Sequence, residues 1–303
     1  MLAKEGLVVN QRCLGSVVCG LSERQWAGKV LLVQDGDFCS FHHTAVSAAL
    51  SQRLSDAGYL VSHVVCPNEP GASKDLQALH QAIARPVSLA VVLFADRSVQ
   101  ETLERAGIDY LGWSKTTLRG AYCRGSYKYE IDHALKAFAE HCERRRVKTV
   151  LSVGTRSDEL PNLAPHFTFN GIRLGFMSVP RLSECEGNDR ISYAVMRAFE
   201  ERLRAEGRKW FPDVMFFRDD FAARGGLCAL MNAGVRIPED LKVVTLANRG
   251  NLPVFPRTLA RVEVDSTACG NMIADCVLGV LETSARRLRR TVSYRYVHGE
   301  TFP

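Results

Sequence analysis

From residue 29 onward, short apolar runs alternate with longer segments of helical periodicity, and no other feature of the sequence restricts the fold as much. "KVLLVQDGD" (29–37) is a continuous apolar run that stops at Asp and Gly, the pattern of a buried strand opening into a loop. "TAVSAALSQRLSDAG" sets Val46, Ala49, Leu50 and Leu54 on one helical face and ends in glycine, and the next strand follows at 60–66. "SKDLQALHQAIA" then reads as helix, "VSLAVVLFAD" as strand, "VQETLERAG" as helix and "IDYLGWS" as strand. A loop-rich stretch at 114–128 interrupts the series. It resumes with "IDHALKAFAEHCERRR" as helix and "VKTVLSVG" as strand, while 155–170, with Pro161 and Pro165, shows no clear periodicity. "IRLGFMSVP", "PDVMFFRDD" and "LKVVTLAN" are strands, separated by helices in "RISYAVMRAFEERLRAEG" and "AARGGLCALMNAG".

Parallel strands need a crossover between them, so strands that alternate with helices of about 10–15 residues predict doubly wound parallel sheets. Two such series in 303 residues predict an α/β protein of two lobes. The closing segments "LARVEVD", "TACGNMIADCVLGVLET" and "TVSYRYV" add strand, helix and strand, enough chain to cross back between the lobes.

Composition and motifs narrow the function. With 46% hydrophobic and 24% charged residues the chain reads as globular. The longest apolar runs, such as 87–95, fall well short of the roughly 20 residues a membrane span needs. No secretory h-region follows Lys4 and Glu5, so a cytoplasmic protein is expected. The ten cysteines are scattered, without a C-x-x-C pair or a Cys/His cluster, and are expected to be reduced thiols rather than disulfides or metal ligands. Neither G-x-G-x-x-G after the first strand, nor G-x-x-x-x-G-K-[ST], G-x-S-x-G or H-E-x-x-H occurs, so a protein without enzymatic activity or cofactor is expected. The net charge of +6 suits a neighbour of DNA and equally a solvated surface, and decides nothing. The basic run "ARRLRRTVSYRYV" (285–297) reads as a cationic helix C-terminus and exposed loop that complements the helix dipole.

In open α/β sheets, ligands bind beyond the carboxyl ends of the strands. Those positions hold Asp35, Asp37, Phe38 and Ser40; Asp96 and Arg97; Trp113 and Ser114; Thr155 and Arg156; Asp219 and Asp220; and Asn248 and Arg249. The site expected here combines Asp37, Phe38, Ser40, Asp96, Trp113, Arg156, Asp220 and Asn248, because a buried polyol must have its hydroxyls paired by bidentate side chains and stacks on aromatic rings. Plainer roles compete at several of these positions. Asp220 suits a helix cap, Trp113 suits core packing, and Asp219 and Arg249 suit a surface pair. His42 and His43 read as a solvated helix start.

"PDVMFFRDDFAARGGLCALMNAGVRIPEDLKVVTLAN" (212–248) resembles the effector-binding domain of the lactose/galactose-repressor (LacI/GalR) family, which shares the type I periplasmic-binding-protein fold. The matching pieces are Pro212-Asp213, Asp219-Asp220, Ala223, Gly225 and Pro238-Glu239-Asp240, followed by "TLARVEVDSTACGNMIADCVLGVL". Two positions depart from the family: Ala247-Asn248 stands where an acidic pair is usual, and "RSDELPNLAPHF" lacks the usual Arg and Gly. "LAKEGLVVNQRCLGSVV", with Gly6 and Gly15 at turns, resembles the end of a GntR-type winged helix, whose wing lies against the DNA backbone. The resemblance implies a wing remnant at 1–20, a first lobe from 27–146 plus 263–285, and a second from 147–262 plus 286–303. It further implies a transcriptional regulator that binds a small, sugar-like effector between its lobes, acts as a homodimer, and reaches operator DNA through a domain mostly outside this chain. A solute-binding protein of a sugar transport system is the alternative.

Overall fold

A computed structural model describes residues 8–11, 15–18, 26–35, 41–66, 76–93, 97–113, 120–154, 160–179, 188–283 and 288–303. β3 (Gly28–Asp35) shows why the chain folds as it does. Val30, Leu31, Leu32 and Val33 are all fully buried, which requires cover on both faces of the strand. Successive side chains point to opposite faces, so Val30 and Leu32 join one core and Leu31 and Val33 another. The first core lies under α1 (Phe41–Asp56) and α8 (Ser266–Thr283), the second under α2 (Gln77–Ile83) and α3 (Arg97–Arg105). β4 (Tyr59–Cys66), β5 (Leu89–Leu93), β6 (Tyr110–Trp113), β7 (Cys123–Glu130) and β13 (Leu288–Ser293) complete a six-stranded sheet of order β13-β7-β6-β5-β3-β4, parallel throughout.

The second lobe repeats the plan. β8 (Thr149–Gly154), β9 (Arg173–Ser178), β10 (Val214–Phe217), β11 (Lys242–Asn248), β12 (Ala260–Val264) and β14 (Arg295–Val297) form a sheet of order β14-β12-β11-β10-β8-β9. Only its edge strand β14 runs antiparallel. α6 (Asn188–Glu206) and α7 (Asp220–Asn232) cover the face with Met215 and Phe217; α4 (Asp132–Arg144) and α5 (Leu160–Phe169) cover the face with Val214 and Phe216. The expected two-lobed, doubly wound architecture is the one observed.

Three crossings join the lobes: β7 to α4, β12 to α8, and β13 to β14 through Tyr294. Their positions correct the expected lobe boundaries. Residues 114–128 are not loop throughout, because β7 pairs with β6 and β13, and α4 packs on the second sheet rather than the first. Arg289 and Arg290 are not in a loop after a helix but on β13, in the first sheet, so the second lobe regains the chain only at β14. The 155–170 region contains α5, whose two prolines hide the helical pattern. At the N-terminus, β1 (Val8–Gln11) and β2 (Gly15–Val18) pair antiparallel as the expected hairpin, with Gly15 opposite Gln11. Among the described residues, six cysteines are free thiols, and no helix is long and apolar enough to cross a membrane.

Candidate functional site

α1 and α7 begin near the carboxyl edges of their sheets, and their first turns meet across a cavity of about 140 Å³. Phe41 and His42 contribute from the first lobe, Asp219, Asp220, Phe221, Ala247 and Asn248 from the second, and Val264 and Tyr294 from two of the crossings. The space is small beside the roughly 300–1,000 Å³ of drug-sized ligand pockets.

The adjacent carboxylates at the end of β10 divide their work. Asp219 has extended backbone geometry and accepts a hydrogen bond from the Ala222 N–H at 2.7 Å, so the cap of α7 is Asp219 and not Asp220. Nor does Asp219 pair with Arg249, whose partner is Asp265 at 3.0 Å. Burial raises the Asp219 carboxyl, against the Ala222 and Phe221 N–H groups and the charge of Arg218. Asp220 is thereby released to face the cavity. It is 5% exposed, its Oδ2 accepts from Asn248 Nδ2 at 2.8 Å, and its Oδ1 is buried with no hydrogen-bond partner among the described residues. Burial pushes Asp220 up to about 6; the Asn248 hydrogen bond opposes this, the Asp219 charge adds to it, and Arg224 opposes it. An unpaired buried acceptor is costly unless a ligand supplies a donor.

His42 departs most from expectation. It is not a solvated helix start: it is 8% exposed, with Nδ1 2.8 Å from Ser266 Oγ and Nε2 2.8 Å from Tyr129 Oη. Burial holds its pKa down at about 4, and a hydrogen bond with Asn248 offsets this in part. His43 lies lower still, at about 3, through burial and the neighbouring His42. Ser266, 1% exposed, donates to Asn248 Oδ1 at 3.1 Å. His42, Tyr129 and Ser266 are therefore the site residues that sequence reasoning missed. The one available signal was that His42 follows the loop after the first strand of its lobe, the place where α/β sheets bind ligands.

Of the eight expected residues, the structure brings Asp220 and Asn248 together. Trp113 ends β6 on the carboxyl edge of the first sheet. Asp37, Phe38, Ser40, Asp96 and Arg156 lie outside the described residues. Arg97 starts α3 and pairs with Glu101 at 2.8 Å, on the surface. No group of three or more potential metal ligands occurs among the described residues.

Residues 175–302 match the periplasmic binding protein-like domain. No curated protein sequence matches the chain. Among solved structures, a LacI family transcriptional regulator from Arthrobacter sp. FB24 in complex with lactose superposes with a TM-score of 0.70 at 18% identity, covering 91% of this chain and 100% of that one. The Lac repressor dimer bound to operator and the anti-inducer ONPF gives 0.70 at 14% identity, covering 93% and 96%. A LacI family regulator from Enterococcus faecium with bound ribose gives 0.68 at 13% identity, covering 90% and 98%. The chain thus has the type I periplasmic-binding-protein fold seen in these regulators.

Proposed function

We propose that this chain is the ligand-sensing part of a transcriptional regulator, with a small sugar-like effector held between its lobes. The observation that carries the proposal is the Asp220 carboxylate, one buried oxygen of which has no hydrogen-bond partner among the described residues, at the interlobe cavity. A polyol hydroxyl supplies the missing donor, while Phe41, Phe221 and Tyr294 offer apolar surface for a sugar ring. Three chain crossings permit one lobe to rotate against the other, and a ligand that binds the closed state more tightly shifts that equilibrium. In this reading the β1-β2 hairpin is the wing of a GntR-type head, closure alters the spacing of two such heads in a homodimer, and the heads contact operator DNA. Bound sugars and operator DNA in structures of the same fold support the reading.

Thermal unfolding against mono- and disaccharides, sugar acids, sugar phosphates and nucleosides tests it. A ligand at about 100 times its Kd stabilises the protein by roughly 2.7 kcal/mol, a shift of several degrees. The expected result is a stabilising compound whose effect disappears in Asp220→Ala. A stabilising compound that acts equally on Asp220→Ala overturns the placement of the site.

A further inference from the structure

We infer that His42 is a positioning residue for the cleft: through Ser266 it fixes which end of the Asn248 amide meets Asp220, and so keeps the free oxygen of Asp220 presented as an acceptor. The inference rests on the reading of the cleft as a ligand site.

The geometry permits one direction of hydrogen bonding. An ionised carboxylate only accepts, so Asn248 presents its Nδ2 amino group to Asp220 Oδ2 at 2.8 Å. Its Oδ1 is left facing Ser266 Oγ, which donates at 3.1 Å. A hydroxyl has one proton, and Ser266 has now used it. Its oxygen must therefore accept from His42 Nδ1 at 2.8 Å, which places the imidazole proton on Nδ1. A second proton on so buried a ring is disfavoured, so Nε2 is a lone pair and accepts from the Tyr129 hydroxyl at 2.8 Å. Tyr129 Oη, having donated, can accept from the Cys269 thiol at 3.6 Å. Along these contacts the hydrogen bonds run in one direction, from Cys269 to Asp220, and the hydrogen bond of His42 with Asn248 is served by the same protonated ring.

The chain also touches the hinge. Tyr129 is the penultimate residue of β7 at the first crossing, and Ser266 opens α8 at the second. At the third, the Tyr294 ring lies 6.2 Å from that of Tyr129, and its backbone N–H donates to the Glu130 carbonyl at 3.0 Å. With the proton on Nε2 instead, His42 Nδ1 would take the Ser266 proton away from Asn248. The amide could then turn its carbonyl toward Asp220, which favours a protonated carboxyl over the open acceptor a ligand needs.

The charged and titratable groups near these side chains include Asp219, Arg218 and Arg224 beside Asp220, His43, Tyr129 and Cys269 around His42, and Tyr127, Tyr294 and Asp265 beside Tyr129 and Cys269. Asp220 itself provides a readout that needs no ligand. Without the chain, protonated Asp220 can donate to a turned Asn248 carbonyl, so its proton affinity rises. Carboxyl ¹³C titration of the full chain is expected to place Asp220 near 6 in the wild type and in His42→Asn, whose amide can replace the Nδ1 donor. In Ser266→Ala and His42→Phe its proton affinity is expected to rise about tenfold, one pKa unit. Unchanged titration in both variants overturns the proposal. If a variant does not fold, the imidazole ¹⁵N shifts of wild-type His42 decide: a proton on Nδ1 supports the proposal, and a proton on Nε2 overturns it. A failed sugar panel would count against the cleft reading and leave these results standing, whereas the wrong tautomer would remove the positioning role and leave the cleft intact.

Discussion

Asp219 and Asp220 are chemically identical neighbours, and the sequence alone does not separate a cap from a ligand group. What separates them is backbone direction: the extended residue before the helix sends its carboxylate to the N–H three residues ahead, and the next residue turns with the helix into the cavity. Substitutions should therefore move stability in opposite directions. Asp219→Ala removes a cap and is expected to cost about 1 kcal/mol in thermal unfolding. Asp220→Asn is expected to stabilise the ligand-free protein. Its carboxyl pKa rises in the fold from 3.8 to about 6, so at neutral pH an ionised Asp220 opposes folding by up to about 3 kcal/mol. The same change should abolish stabilisation by any ligand found in the panel, because an amide at this position no longer offers two carboxylate oxygens. A variant less stable than wild type would show that Asp220 serves the fold rather than a ligand.

At the level of elements, α7 packs against α6 at Gly225. A Cβ there would lie 2.1 Å from the Ser192 carbonyl oxygen and 3.0 Å from Val195 Cβ, and the Ser192 obstacle is backbone, which cannot rotate away. Ala is the better helix former by about 1 kcal/mol, yet Gly225→Ala is expected to destabilise by about 1–3 kcal/mol because α6 and α7 must separate. Denaturant unfolding of the purified variant checks this, and a stabilised variant would disprove the close approach. Elements with strong periodicity were legible in the sequence; those whose burial depends on distant partners were not. β7 reads as loop because "CRGSYKYE" alternates buried Cys123, Gly125 and Tyr127 with polar residues, and its outer neighbour β13 arrives more than 150 residues later. The expected boundary after 146 gives α4 to the first lobe for the same reason: its apolar face is matched by β12, β14 and α5 of the second lobe, which come later in the sequence. α5 was hidden by Pro161 and Pro165.

Across the whole molecule, the cleft draws on residues near 42, 129, 220, 248, 266 and 294, which only the two sheets and three crossings bring together. Strand-end reasoning could name Asp220 and Asn248 separately, but their 2.8 Å contact and the buried state of His42 are products of the assembled fold. The assembly leaves a signature in the dependence of stability on pH. His42 and His43 are lowered from 6.5 to about 4 and about 3, so below pH 6.5 the unfolded chain binds protons that the folded one refuses. His141, buried in the second lobe and lowered to about 4 mainly by burial, acts in the same direction. Stability from these histidines is fully present above pH 6.5 and falls as the pH drops toward 4. Asp220 acts oppositely: its folded pKa is raised, so protonation relieves its burial cost as the pH falls through about 6. The lowered histidines, His63 among them, outweigh the two raised carboxyls, Asp219 and Asp220, and the ligand-free protein is expected to lose a few kcal/mol, on the order of 3, between pH 7.5 and pH 5. Asp220→Asn removes the opposing contribution and should lose about 1 kcal/mol more over the same interval, because one pH unit below a pKa of about 6 corresponds to roughly that much relief. Denaturant unfolding of both proteins at the two pH values measures the difference. Equal losses would mean that Asp220 titrates alike in the folded and unfolded chains, and the strained carboxylate at the centre of the cleft would have to be abandoned.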